Sequence, residues 1–484
     1  MKKFSKILSV ALLVALVLSL GVANAFAAGT PSITVNPVDP TTVTDVKIDY
    51  KAYRILEASI DTDPVVADDG STTTSGKVAY YVTTADRVAE LEETSLFNIT
   101  RVGETNKWFV ELKSGSTSAD ALVEAFSAAS FDLSKFDFVT FDKAVGEDNA
   151  VSGTVDPGYY YITSTLGSKM ALQTLSPVTI NEKNKYTTDN KTIPENDKSS
   201  QIGQEITYTL TVNVPATANK AIVLTDTMSK GLSFKEIKSQ TPITGTVSNV
   251  ENAEQGATKF TITYTEDQIK ALVNDGADKV ITVEVTVIVN DEAAIETDIP
   301  NTLDLDYGNI YKAQPVTVNT KTYKFLFDKV DGTDTSVKLT GAEFQFTTDG
   351  STPIKLVKVT EGAKYRIATQ KEITAAADTL VDTIVTNGNT VEIDGLDADV
   401  TYKLVETKAP TGYNGLADPV EVKATTTGEG ASATKAFVHK DVINNKGAQL
   451  PSTGGIGTTI FYVVGGVLVL AAIILLVTKK RMSE

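Results

Sequence analysis

The chain has 484 residues, 42% of them hydrophobic and 22% charged, with a formal net charge of −17, no cysteine, one tryptophan and one histidine. The missing cysteine excludes disulfides, thiolate metal sites and cysteine nucleophiles, and a lone His439 argues against a multi-histidine metal centre or a Ser-His-Asp triad. The acidic balance argues against nucleic-acid binding through a basic surface, while the ordinary apolar and aromatic content argues for about two to four folded domains.

Residues 1–27 read as a secretory signal. Lys2, Lys3 and Lys6 precede an apolar run from Ile7 to Val22, and small residues then offer A-x-A cleavage sites at Ala23-Asn24-Ala25 or Ala25-Phe26-Ala27. Residues 28–182 read as a mixed, mainly β domain. The spacing of Ala121, Leu122, Ala125, Phe126 and Ala129 predicts a helix, with Thr117 and Asp120 resembling a capping box, and a second short helix is expected from about Ala85 to Glu93. A polar, linker-like stretch (181–200) opens a second module, 183–320, in which Ile206, Tyr208, Leu210, Val212 and Val214 alternate as a half-buried strand should. Lys279–Val289 is apolar enough for a largely buried strand. A second boundary falls around Gly308–Thr322, and a third module covers 321–447. Short strands rich in Thr and Val, separated by Gly, Asp and Asn turns, predict a mainly β chain of tandem β-sandwiches. No repeat of fixed period marks a solenoid.

Residues 448–484 form a different kind of segment. Thr459 to Thr478 carries no charge and is followed by Lys479, Lys480 and Arg481, so it is long enough to span a bilayer with its basic tail on the cytoplasmic side. Leu450, Pro451, Ser452, Thr453 and Gly454 stand just before it. Pentapeptide, span and basic tail together resemble the cell-wall sorting signal of Gram-positive surface proteins. That resemblance implies cleavage between Thr453 and Gly454 by a sortase and transfer of the Thr453 carbonyl to an amine, with the span as a temporary membrane hold. Trimming to 28–453 removes six basic and one acidic side chain and leaves a net charge of −22. An exported chain without cysteine must gain its toughness by a route other than disulfides.

Strand parity singles out charged residues on core faces, because residues two apart point the same way. In KTYKFLFDKVD, Tyr323, Phe325, Phe327 and Lys329 share a face; in TYKLVETKAPTGY, Tyr402, Leu404 and Glu406 do; in DVINNKG, Val442 and Asn444 do. Burying these polar groups unpaired costs several kcal/mol each, so they should meet. Desolvation favours neutral lysine and neutral glutamate, and a neutral amine is a nucleophile. A protonated Glu406 bonded to the Asn444 carbonyl would make its carbon more electrophilic and shuttle protons, giving a Lys-Asn amide and ammonia. Asn445 is an alternative to Asn444. In the middle module Asp226 shares a face with Ile222, Leu224 and Met228, and Asn301 shares one with Leu303, Leu305 and Tyr307. Lys191, in parity with Ile193, is the lysine expected there, with Lys198 as the alternative.

YKLVETKAPTGY is similar to the E-box of Gram-positive pilin subunits, and DKVDG followed by LTGAEFQF resembles the opening of a collagen-adhesin B-type (Cna-B) domain. The resemblance to backbone pilins implies immunoglobulin-like and Cna-type sandwiches, a Lys329–Asn444 isopeptide bond promoted by Glu406, and a Lys191–Asn301 bond promoted by Asp226 in the D-T-M-x-x-G-L segment. It also implies a polymerising lysine in a V-x-V-Y-P-K-N segment. PVTINEKNKY aligns with that segment and places Lys183 on the family's lysine, with Asn181-Glu182 where the family has Tyr-Pro; Lys185 is an alternative amine. The implied partners are pilus and housekeeping sortases, further copies of the chain, accessory pilins, peptidoglycan and a host surface ligand. No cofactor and no catalysis beyond a single self-directed turnover is implied. A monomeric wall-anchored adhesin on a β-sandwich stalk is the alternative. The acidic residues Asp61, Asp63, Asp68 and Asp69 lack EF-hand spacing, leaving calcium binding open, and the chain has neither a P-loop nor a dinucleotide fingerprint.

Overall fold

The computed structural model describes residues 30–36, 43–44, 46–60, 64–66, 72–74, 78–113, 118–143, 151–182, 184–248, 259–428, 434–447 and 456–481. The secretory signal, Lys183, the LPSTG pentapeptide and the Asp61–Asp69 cluster therefore lie outside the described residues. Two compact units divide the chain, Met1–Lys321 and Thr322–Glu484.

The first unit begins with two sheets. The long strand Tyr50–Ile60 pairs antiparallel with Gly158–Ser164 and Val78–Val82. Ser32–Asn36 lies between Val151–Thr154, antiparallel, and Val178–Asn181, parallel. Helices Ala85–Glu93 and Ala119–Ser127 bury Leu91, Leu122, Val123 and Phe126 against Ile55, Val82, Phe97 and Tyr161. The second helix is capped by the Ser118 hydroxyl, which accepts the Ala121 N–H; Thr117 lies outside the described residues.

The same unit continues as a sandwich. One sheet runs in the order Thr188–Thr192, Glu205–Val214, Lys279–Val289, Leu232–Thr241, and the other is centred on Ile222–Met228 beside Asp298–Tyr307. The expected alternation is realised, with Ile206, Tyr208, Leu210, Val212 and Val214 all buried. The stretches read as linkers are more structured than their polarity suggests. Residues 181–200 include the strand Thr188–Thr192, and Gly308–Thr322 includes the strands Tyr311–Ala313 and Val316–Lys321. Val43–Thr44, far upstream, pairs with Tyr311–Ala313. Polar groups in these stretches bond to one another instead of to water: the Thr187 N–H donates to the Tyr311 hydroxyl at 2.6 Å, the Ser200 N–H to the Lys321 carbonyl at 3.0 Å, and the Thr320 hydroxyl to the Asp197 carbonyl at 2.7 Å.

In the second unit Tyr323–Asp331 runs antiparallel to Val391–Leu396 and parallel to Lys440–Asn444, with Lys329 opposite Val442. A second sheet contains Thr340–Thr347 and Tyr402–Lys408. Phe325, Phe327, Phe344, Phe346 and Tyr402 fill the core, and Phe327 meets Phe344 edge-on. Helix Ile456–Arg481 closes the described chain.

Candidate isopeptide sites and wall-anchoring segment

The parity argument brings three side chains of the second unit to one point. Lys329 and Asn444 come from neighbouring parallel strands, and Glu406 arrives from Tyr402–Lys408 in the other sheet. The Lys329 and Glu406 side chains are each 1% exposed, with Nζ 3.8 Å from Oε1. Lys329 Nζ donates to Asn444 Oδ1, and to the Val442 carbonyl at 2.8 Å. Asn444 Nδ2 donates to Glu406 Oε1 at 2.9 Å and to Oε2 at 3.0 Å, and the Leu416 N–H donates to Oε2 at 2.8 Å. Burial lowers the Lys329 pKa from 10.5 to about 8, against the opposing pull of Glu406. Roughly one amine in ten is then neutral at pH 7.

The orientation differs from the sequence expectation in one respect. Glu406 lies on the amide nitrogen of Asn444 and not on its carbonyl oxygen, so the acid faces the atom that would depart as ammonia. Asn445 is exposed, whereas Asn444 is 2% exposed, which makes Asn444 the amide facing the lysine. The Val442 carbonyl and Leu416 N–H escape the sequence reading, because backbone groups carry no sequence signal.

The middle sandwich holds a second constellation. Lys191 Nζ lies 2.5 Å from Asp226 Oδ2, and both side chains are essentially sealed from solvent. Burial lowers the lysine pKa and raises that of the aspartate, each against the attraction of its partner, so both shifts favour the neutral pair. Asn301 is 0% exposed, and its strand places it opposite Met228, two residues from Asp226. Its amide is close enough to help hold the Asp226 pKa down, yet neither amide atom makes a well-formed hydrogen bond. A buried amide left in that state costs about 1–3 kcal/mol per group. Lys198, the alternative lysine, is 56% exposed and pairs with Glu195. The Tyr208 ring, 4.8 Å from Lys191 Nζ, is an additional neighbour that the strand alternation marks only as core.

Elsewhere the polar clusters differ in kind. Among the described residues of the N-terminal sheets no lysine is buried, so no lysine–acid–asparagine constellation is found there. Asp328, His439 and Asp441 bring ligand atoms within 4.8 Å of one another, but Asp328 is already engaged by Lys338 at 2.8 Å and His439 at 3.3 Å. At the C-terminus Phe461–Lys479 has a mean hydropathy of 2.7 and none of it is buried, so by length and composition it can cross a membrane.

A sandwich-built body followed by a sorting pentapeptide, an apolar helix and a basic tail defines a cell-wall-anchored surface protein. Residues 323–436 match the SpaA prealbumin-like fold domain family, and residues 443–484 match the LPXTG cell wall anchor motif. The chain is 25% identical over 414 residues to the trypsin-resistant surface T6 protein of Streptococcus pyogenes serotype M6, covering 69% of this chain and 74% of that one. It is 33% identical over 93 residues to the fimbrial subunit type 1 of Actinomyces viscosus, covering 19% of this chain and 17% of the relative. Among solved structures, the full-length major pilin SpaD from Corynebacterium diphtheriae aligns with 88% of this chain and 100% of its own, at 16% identity and a TM-score of 0.44. By sequence the chain is similar to a streptococcal surface protein over most of its length and to a fimbrial subunit over part of it.

Proposed function

We propose that the chain is the shaft subunit of a covalently polymerised surface pilus, hardened by two internal Lys-Asn bonds. The observation that carries the hardening is the buried Lys329–Asn444–Glu406 arrangement: nucleophile, amide and acid in contact, recruited from strands 115 residues apart in sequence for the bond-forming pair. Neutral Lys329 Nζ attacks Asn444 Cγ, the Cγ–Nδ2 bond breaks, and the amine proton reaches the departing nitrogen through Glu406. Ammonia leaves and an amide remains. Lys191, Asn301 and Asp226 perform the same exchange in the middle sandwich, where the product amide also removes a poorly satisfied buried group.

Polymerisation is supported by the anchor-motif match and by the similarity to a fimbrial subunit. A sortase breaks the Thr453–Gly454 amide and joins the Thr453 carbonyl to a lysine Nζ of the next copy, Lys183 being the assigned amine. The lysine nitrogen gives up a proton and the released segment leaves as an amine. The last copy passes to peptidoglycan. Intact mass spectrometry of residues 28–449 tests the internal chemistry: two bonds remove about 34 Da, about 17 Da for each ammonia lost. A mass equal to that of the bare sequence would refute both.

A further inference from the structure

Just beyond the reacting groups of the second unit, the same three chain segments meet again. Asp331 follows Lys329 by two positions, Lys446 follows Asn444 by two, and Tyr413 stands in the loop between Glu406 and Leu416, the residue whose N–H holds Glu406 Oε2. Asp331 is 3% exposed. Its Oδ2 accepts the Tyr413 hydroxyl at 2.6 Å and lies 3.1 Å from Lys446 Nζ, while its Oδ1 accepts the Thr333 N–H at 2.7 Å. These donors, the Tyr413 hydroxyl foremost, hold the Asp331 carboxyl well below the usual carboxylate range, so it stays ionised.

Backbone bonds knit the segments at the same level. The Gly332 N–H donates to the Asn444 carbonyl at 2.9 Å, the Asn414 N–H to the Asn445 carbonyl at 2.9 Å, and the Gly447 N–H to the Gly412 carbonyl at 3.2 Å. A Cβ at Gly332 would collide with the Asn445 side chain, so glycine lets the two strands approach this closely. The topology shows what such a junction is for. Lys440–Asn444 is the outermost strand of its sheet, and among the described residues its only strand partner is Tyr323–Asp331. A slip of one residue would turn Asn444 outward and expose Val442, which is 2% exposed, so the core opposes it. A slip of two keeps the facing and escapes the two-residue hydrophobic period. It would bring Val442 or Lys446 to the place of Asn444, depending on its direction.

We infer that Asp331, Tyr413 and Lys446 form a register clasp and are positioning residues for the Lys329–Asn444 reaction: they hold the last strand in the register that sets Asn444 beside Lys329 and Glu406. This deepens, and rests on, the reading of Lys329 and Asn444 as a bond-forming pair. Either two-residue slip would carry Lys446 about 7 Å along the strand from Asp331, breaking the clasp. None of the three touches the reacting atoms or carries a proton in the step. The clasp matters before the bond exists, since afterwards the amide itself fixes the register.

The test follows bond formation in newly made chains. Residues 28–449 are synthesised by cell-free translation and samples are quenched in denaturant at intervals. Digestion and mass spectrometry then give the fraction of Lys329 joined to Asn444. Tyr413→Phe and Lys446→Met should each slow joining at least about tenfold, since a displacement of about 1 Å at a reacting centre costs on the order of a hundredfold. Lys446→Arg, which keeps the charge facing Asp331, should join at close to the parent rate. Folding is read separately, by circular dichroism and urea midpoints in an Asn444→Ala background that cannot react, where both slow variants should remain folded without denaturant. Lys446 is 66% exposed, so its variants carry the test should Tyr413→Phe fail to fold. Parent-like rates for Tyr413→Phe and Lys446→Met would overturn the inference. Slowing that merely follows the folded fraction, or a Lys446→Arg chain as slow as Lys446→Met, would overturn it equally. No joined peptide from the parent chain would instead sink the reading of Lys329 and Asn444 as a bond-forming pair, and the inference with it.

Discussion

Replacing Glu406 with alanine should abolish the bond in the second unit and unmask what that bond contributes. Both Glu406 oxygens accept from the Asn444 amide nitrogen and Oε1 sits 3.8 Å from the Lys329 amine, so Glu406 is the described acid placed to take the amine proton to the departing nitrogen. Lys329 and Asn444 are 115 residues apart in sequence. In the chain-entropy model, a cross-link closing a loop of that length is worth about 5 kcal/mol. For a unit of roughly 125 residues, whose unfolding entropy sets the conversion, the loss corresponds to a melting temperature lower by about 20 °C. The variant still buries the Lys329 amine without its acid, so the drop should be no smaller than this. Calorimetry of Thr322–Gly447 gives the shift, and intact mass should show that the variant alone retains its full sequence mass. A variant that still lacks about 17 Da and melts with the parent would refute the role assigned to Glu406.

Four further outcomes follow from the geometry. Asp226→Ala should remove only the middle bond, and combined with Glu406→Ala it should restore the full sequence mass, while Lys198→Ala should leave the mass loss intact because Lys198 is exposed. When the Lys440–Asn444 strand is supplied as a separate peptide to a truncated unit, coupling should quicken about tenfold per pH unit up to about 8 and level off above, following the neutral fraction of Lys329; a flat profile would contradict this. Coupling in the middle sandwich should be nearly flat over the same range, since burial pushes Lys191 down and Asp226 up and the proton moves within the pair. In an Asn444→Ala chain, which cannot react, unfolded Lys329 keeps its proton to about pH 10.5 whereas the folded chain releases it near 8. The unfolded state then binds more protons in that window, so denaturant midpoints should rise with pH between those values.

The two-residue period of strands made the lysine, acid and asparagine of each sandwich legible before any coordinates. A slip of one residue would have turned Lys329 outward and Asp328 inward, and the apolar neighbours Phe325 and Phe327 forbid it. The helix expected from about Ala85 to Glu93 is present over those residues. What escaped depends on long-range partners. Glu182 and Asn184 look like solvated linker in sequence, and only the hydroxyl donors of Tyr50, Ser164 and Ser168 and the accepting Leu166 carbonyl turn them inward. Likewise nothing local in Val43–Thr44 marks it for pairing with Tyr311–Ala313. The side of the Asn444 amide that meets Glu406 was misread because parity sets which face a residue points to, not how its terminal amide is turned.

The central claim is covalent polymerisation through a defined lysine. It is tested most directly by an immunoblot of muramidase-released wall material, boiled in SDS and probed for the middle sandwich, from cells making the parent chain or its Lys183→Ala variant. The account predicts a ladder far above the monomer for the parent and its collapse to one monomer-sized band for the variant. A single band from the parent would contradict the shaft reading and leave a wall-anchored monomer, while a ladder that survives Lys183→Ala would place the accepting amine elsewhere.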